Sequence, residues 1–198
     1  MSHGHDHTSS AATSNRVKAL VAQLEARSIL TEAQLDETVE KFLLHAKPAN
    51  AFAMVARAWI DPAYKARLLN DASAAALELG VDMSVWAPVK LRAVENTDEV
   101  HNMIVCTLCS CYPIALLGPS PTWYKSEAYR SKAVRDPRGT LEEFGVKLPP
   151  HKHITVWDST AEQRFMVLPQ RPTGTDNLTE VELAKLVTRN GLIGTALV

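Results

Sequence analysis

At 198 residues and 46% hydrophobic composition, the chain holds enough apolar material for one good core plus a helical appendage. Lys and Arg total 21 against 22 Asp and Glu, a formal net charge of -1 without a long block of one sign, which excludes a nucleic-acid footprint. The opening MSHGHDHTSS has no apolar stretch of a secretory signal, and the most apolar window, residues 103–118, is broken by Thr107, Ser110 and Pro113; a soluble cytoplasmic protein with no membrane partner is expected.

His3, His5 and His7 form a short His-rich tract, read as part of a disordered tail over residues 1–14. Val17, Leu20, Val21 and Leu24 then recur at helical spacing. Thr31 and Gln34 stand at capping-box spacing ahead of a second stripe, Leu35, Val39, Phe42 and Leu43. A third helix is expected over 50–59, and Asp61-Pro62 supplies an N-cap and first helical residue for a fourth ending near Gly80. Residues 15–80 thus read as a helical arm. From Val89 the pattern becomes β-branched, with strands expected at 89–94, 100–105, 153–157 and 164–168. Proline-rich loops occupy 118–124 and 168–177, and Thr179 with Glu182 caps a last helix bearing Leu183, Leu186 and Val187. Residues 81–198 read as an α/β body.

All three cysteines fall within VCTLCSCYP, residues 105–113, directly after a predicted strand. An odd, clustered set excludes a disulfide framework. Spacings of three and two let the sulfurs of Cys106, Cys109 and Cys111 converge, and soft thiolates select transition metals. Other readings of the same residues are small buried hydrophobes, structural zinc with His101 as a fourth ligand, or an iron–sulfur cluster short of ligands. The loop's own backbone is a further source of donors. Deprotonated amides at Ser110 and Cys111 would suit a trivalent ion and leave one position open for Lewis-acid chemistry.

VCTLCSC resembles the metal-binding signature of nitrile hydratase α subunits, shared with the catalytic subunit of thiocyanate hydrolase. The resemblance continues through ARAWIDPAYKARLL (56–69), PTWYKSEAYRS (121–131), DPRGTLEEFG (136–145), RFMVLPQRPTGT (164–175) and LVTRNGLIG (186–194). It implies an α+β fold, a helical arm before a layered α/β/β/α body with mixed sheets. It implies sulfur ligation by Cys106, Cys109 and Cys111, completed by the backbone nitrogens of Ser110 and Cys111, with Cys109 oxidised to sulfinate and Cys111 to sulfenate. Those charged oxygens need cationic partners, which the family draws from a β subunit; Arg164 aligns with an α-chain arginine near the cluster, its bland alternative being a pair with Glu162. Thr107 and Tyr112 follow the pattern that accompanies non-corrin Co(III), one per α subunit, rather than low-spin Fe(III).

The implied reaction is hydration of a small-molecule nitrile to an amide, with Cys111, Ser110 and Arg164 as the catalytic candidates. The implied partners are a β subunit, in a heterodimer or heterotetramer, and an activator or metallochaperone that loads the metal. Ile114 stands where many members carry Trp in YPWP, and Ala87 where some carry a pocket glutamine, so the substrate pocket departs from the pattern. Thiocyanate hydrolysis and a noncatalytic zinc-binding or metal-delivery role are the rival functions. ITVWDST (154–160) and the absence of an extended C-terminal tail favour the nitrile hydratase pattern.

Overall fold

The structure is a computed structural model describing residues 11–82, 89–108 and 111–198, with the side chains of 42–45 excepted. The His-rich tract, Ala87, Cys109 and Ser110 lie outside the described residues. Two compact units divide at 45/46. The first contains α1 (Ala11–Ala26) and α2 (Glu32–His45). Thr31 and Gln34 cap α2 reciprocally: the Thr31 amide donates to Gln34 Oε1 at 2.8 Å and the Gln34 amide to Thr31 Oγ1 at 3.2 Å. No residue of α1 is buried.

The boundary differs from the expected 80/81 because α3 (Pro48–Ile60), α4 (Pro62–Asn70) and α5 (Ala72–Glu78) pack into the second unit. The physical reason is visible in α3, which buries Ala51, Met54, Val55, Ala56 and Ala58. That is more than one apolar stripe, and such a helix belongs in a core. Asp61 both ends α3 and caps α4, its carboxylate accepting from the amides of Ala63 and Tyr64.

Four strands follow: β1 (Lys90–Glu95), β2 (Val100–Val105), β3 (His153–Asp158) and β4 (Gln163–Leu168). β1 pairs with β4 in register Lys90 to Gln163, and β2 with β3 in register Val100 to His153. Both pairs are parallel, so the sheets expected to be mixed are parallel throughout the described residues. β2 packs against β4 and β1, bringing the two sheets face to face. Parallel strands buried on both faces need apolar side chains in succession, and β2 meets this with Met103, Ile104 and Val105 all buried.

Helices cover the sheets. α4 and α5 lie on β1; the crossover from β2 to β3 contributes α6 (Ile114–Leu117), a 3-10 turn (Thr122–Lys125), α7 (Glu127–Arg135) and α8 (Pro137–Glu143). α7 packs on β2 and α8 on β3. At the end come α9 (Glu180–Leu186), with the expected Thr179–Glu182 capping box, and α10 (Arg189–Ile193). α9 packs on α3, where Arg57 Nε donates to Glu180 Oε2 at 2.9 Å. This is an α+β body layered helix, sheet, sheet, helix. No described helix is long and apolar enough to cross a membrane.

Candidate metal centre

β2 delivers its chain directly into the cysteine loop. Cys106 is 0% exposed and Cys111 8%, so both thiols are withdrawn from water, whereas Leu108 between them is 87% exposed. A loop that buries its two described cysteines and exposes its leucine is not collapsing on apolar grounds.

Contacts from distant segments hold it. The Thr107 amide donates to Asp158 Oδ1 at 2.9 Å and its hydroxyl to Asp158 Oδ2, a two-point grip on the last residue of β3. The Ser159 amide donates to the Val105 carbonyl at 2.8 Å, extending the strand pairing to the point where the loop departs. On the other side, the buried Tyr124 phenol donates to the Cys111 carbonyl at 3.1 Å, and Tyr129 donates to the Ile104 carbonyl at 2.6 Å. Tyr124 packs edge-to-face on Tyr112, with centroids 5.0 Å apart. Burial chiefly, and the neighbouring Cys106, Tyr112 and Cys111 in addition, push the Tyr124 phenol well above its ordinary range, while the Ser159 hydroxyl acts the other way. It stays protonated and keeps donating.

Around this loop the structure leaves polar capacity unfilled: the buried Tyr112 hydroxyl has no hydrogen-bond partner among the described residues. Beside Thr107 lies a cavity of about 540 Å³ walled by one face of α7, Glu127, Arg130, Ser131, Val134 and Arg135. Arg130 Nη1 reaches the Thr107 carbonyl at 3.5 Å. The two arginines were missed in the sequence, where they sit in a segment without a clear apolar period.

Arg164 stands at the start of β4, and its Nη1 donates to the carbonyls of Thr160 and Gln163. It braces the β3–β4 connection next to Asp158 instead of pairing with Glu162. His101 is not placed to complete a zinc site. It lies at the beginning of β2, five residues from Cys106, roughly 16 Å in an extended strand. Its Nε2 contacts the Gly194 carbonyl at 2.8 Å and its Nδ1 the Asn96 amide at 3.4 Å, so both ring nitrogens are occupied. No group of three or more His, Cys, Asp or Glu side chains suited to a metal ion occurs among the described residues.

Two buried thiols in one clamped loop suit a soft-ligand cation. The fold is shared by nitrile hydratase and thiocyanate hydrolase structures. The chain is similar to a double mutant of the Fe-type nitrile hydratase from Comamonas testosteroni Ni1, with TM-score 0.89 and 40% identity, over 96% of this chain and 92% of that one. Within that class, the model for "Nitrile hydratase, alpha chain" matches residues 11–196, and the chain belongs to this family, whose members are subunits of hydro-lyases. A low-molecular weight cobalt-containing nitrile hydratase α subunit from Rhodococcus rhodochrous is 50% identical over 179 residues, 90% of this chain and 86% of the relative. The thiocyanate hydrolase γ subunit of Thiobacillus thioparus is 40% identical over 190 residues, 89% of this chain and 78% of the relative.

Proposed function

We propose that this chain is the α subunit of an active nitrile hydratase, adding water across the C≡N bond of a small-molecule nitrile to give the amide. The sulfurs of Cys106, Cys109 and Cys111 and the backbone nitrogens of Ser110 and Cys111 would hold one trivalent ion, with Cys109 as sulfinate and Cys111 as sulfenate. When bound, that ion supplies the Lewis acidity that nitrile hydration requires, polarising substrate or water. Non-corrin Co(III) is the reading favoured over Fe(III) by Thr107 and by the cobalt named for the Rhodococcus rhodochrous relative.

The chain's own residues supply position and protection. Burial of Cys106 and Cys111 keeps the sulfur donors out of bulk water, which strengthens charge interactions around them. Asp158 fixes the Thr107 end of the loop, and Tyr124 fixes the Cys111 end. The Ser110 hydroxyl would orient the attacking oxygen, which is either a metal-activated water or hydroxide or the Cys111 sulfenate itself, while Arg164 would contribute positive charge from the adjoining connection. A β subunit completes the site with further cations, and an activator loads the metal. The clustered thiols suit a reducing cytoplasm.

The observation that carries this reading is the burial of both described thiols in a loop gripped from β3 and from the crossover. The test is elemental analysis and cysteine-peptide mass on the chain purified with its partner, with nitrile and thiocyanate assayed side by side. Cobalt, peptide mass gains of roughly 32 and 16 Da for the two oxidised cysteines, and amide formation are expected. Stoichiometric zinc on reduced thiols would sink the proposal. Thiocyanate turnover without amide would transfer the chain to the rival hydrolase.

A further inference from the structure

A second cavity, of about 240 Å³, has a lining that includes Asn96, His101, Lys147, Lys152, Gln170 and Arg171, with residues 196–198 forming another wall. It belongs to the other end of β2 from the cysteine loop. Asn96 directly follows β1, and Gln170 and Arg171 follow β4, so the cavity lies off the carboxyl edge of a parallel strand pair, where open α/β sheets bind ligands.

Its charged side chains are all cationic, set against the carboxylate of Val198 in the same wall. Lys147, Lys152 and Arg171 line it, no Asp or Glu side chain does, and none of the three cations makes an ion pair among the described residues. Lys152 and Arg171 are half-buried, and Lys147 is exposed. Arg138 donates to the carbonyls of Leu148 at 3.1 Å, Pro149 at 3.3 Å and Lys152 at 2.7 Å, stiffening the segment that carries both lysines. Arg171 is held through neutral oxygens alone: Nε to Thr175 Oγ1 at 3.1 Å, Nη2 to the Thr175 carbonyl at 2.6 Å and Nη1 to the Trp59 carbonyl at 3.3 Å. That uses three of its five N–H groups and neutralises none of its charge. Lys152 Nζ donates to Gln170 Oε1 at 3.2 Å, while the Gln170 amide is occupied by Asp98. His101 is held below its ordinary pKa chiefly by burial, with the Lys152 charge acting in the same direction.

Lys152 and Arg171 are held by hydrogen bonds and Lys147 is an exposed side chain on the stiffened segment; three cations around one small cavity repel each other, and a multiply charged oxyanion relieves that repulsion while accepting their remaining N–H groups. We propose that this cavity is a binding site for a tetrahedral oxyanion of the inorganic phosphate class, separate from the cysteine loop. The phosphate group could be free or part of a phosphate ester. The two share the chemistry and differ in bulk.

The test uses the chain assembled with its partner subunit and isothermal titration with inorganic phosphate at constant ionic strength set by chloride, repeated with a methyl phosphate ester. Saturable binding at one phosphate per chain is expected. Lys147→Ala combined with Lys152→Ala should weaken it by about tenfold or more, each lysine contributing a charge-assisted bond. Lys41→Ala, which removes a lysine of α2 paired with Glu37 and absent from the lining, should leave it unchanged. Ester binding as tight as phosphate would place the physiological group on a larger molecule; much weaker ester binding would make it the free ion. Absence of saturable phosphate binding, full affinity in the double variant, or equal loss in the Lys41 variant would each overturn the site.

Discussion

Asp158→Ala removes both acceptors that hold Thr107. A hydrogen bond to a carboxylate contributes about 1.5–3 kcal/mol when well shielded, but Asp158 and Thr107 are exposed, so about 1 kcal/mol per bond is the appropriate scale. Losing both costs about 2 kcal/mol of loop order, roughly thirtyfold in the population of the clamped loop. Asp158→Asn keeps one acceptor for the Thr107 amide and should cost about half as much, roughly fivefold. Asp158 and Thr107 are exposed and lie outside the apolar core, so the melting temperature should move by only a few degrees. The assay is the first-order loss of metal from the loaded αβ enzyme into excess chelator, followed by elemental analysis. Release should accelerate roughly thirtyfold in the Ala variant and fivefold in the Asn variant. Wild-type release rates in both variants would refute the clamp. So would faster release accompanied by a large fall in melting temperature, which would assign Asp158 to general stability.

Tyr124→Phe keeps the packing against Tyr112 but leaves the Cys111 carbonyl without its donor, costing about 1–2 kcal/mol; a changed visible spectrum of the loaded enzyme with a modest drop in melting temperature is expected. Gly194→Ala should be far more damaging. Gly194 has φ +86, and a Cβ there would sit 2.0 Å from the Asn102 carbonyl oxygen and 2.9 Å from Met103 Cα, both backbone; a loss of about 3 kcal/mol or more in urea unfolding, or no soluble protein, is expected. His101 gives a pH signature. Burial holds its folded pKa below the ordinary 6.5, so below that value the unfolded chain takes up a proton that the folded chain resists. Stability from this group is present above pH 6.5 and is lost as pH falls below it, by up to about 1.4 kcal/mol per pH unit until the folded pKa is reached. Urea unfolding at pH 7 and 5.5 should show this slope reduced in His101→Gln; an identical slope would remove His101 as its source.

Local signals were legible wherever one segment decides its own structure. The caps at Thr31, Asp61 and Thr179 mark helix starts through side-chain oxygens that reach their own amides. β2 occupies the expected 100–105, because a β-branched run between turn residues has few alternatives. The cysteine loop was also visible, since three thiols in six residues need no structure to be noticed. Its supports were not. Asp158, Tyr124, Tyr129 and Arg130 reach the loop across 13 to 51 positions of chain, and nothing in ITVWDST or PTWYKSEAYRS announces that their side chains point there. The arm was overextended for a related reason. An alanine-rich helix such as α3 reads as helix either way, and its burial depends on where α9 and the sheet lie. His101 failed as a zinc ligand because sequence nearness along a strand is spatial distance.

Parallel pairing explains how the loop and its supports come together. In a parallel pair the two strands end on the same edge, so Val105 of β2 and Asp158 of β3 are neighbours in register. That neighbourhood puts a carboxylate beside Thr107, whereas a hairpin partner would have ended its strand at the opposite edge. Parallel strands also require a long crossover, and here it runs from Cys106 to Lys152. The cysteine loop opens this crossover; Tyr124, Tyr129 and Arg130, further along it, turn back onto the loop and onto the strand that launched it. One connection therefore carries both the proposed donors and half of their clamp, and β3 carries the rest. A substitution in α7 that shifted Tyr129 away from the Ile104 carbonyl would disturb the cysteines without touching them.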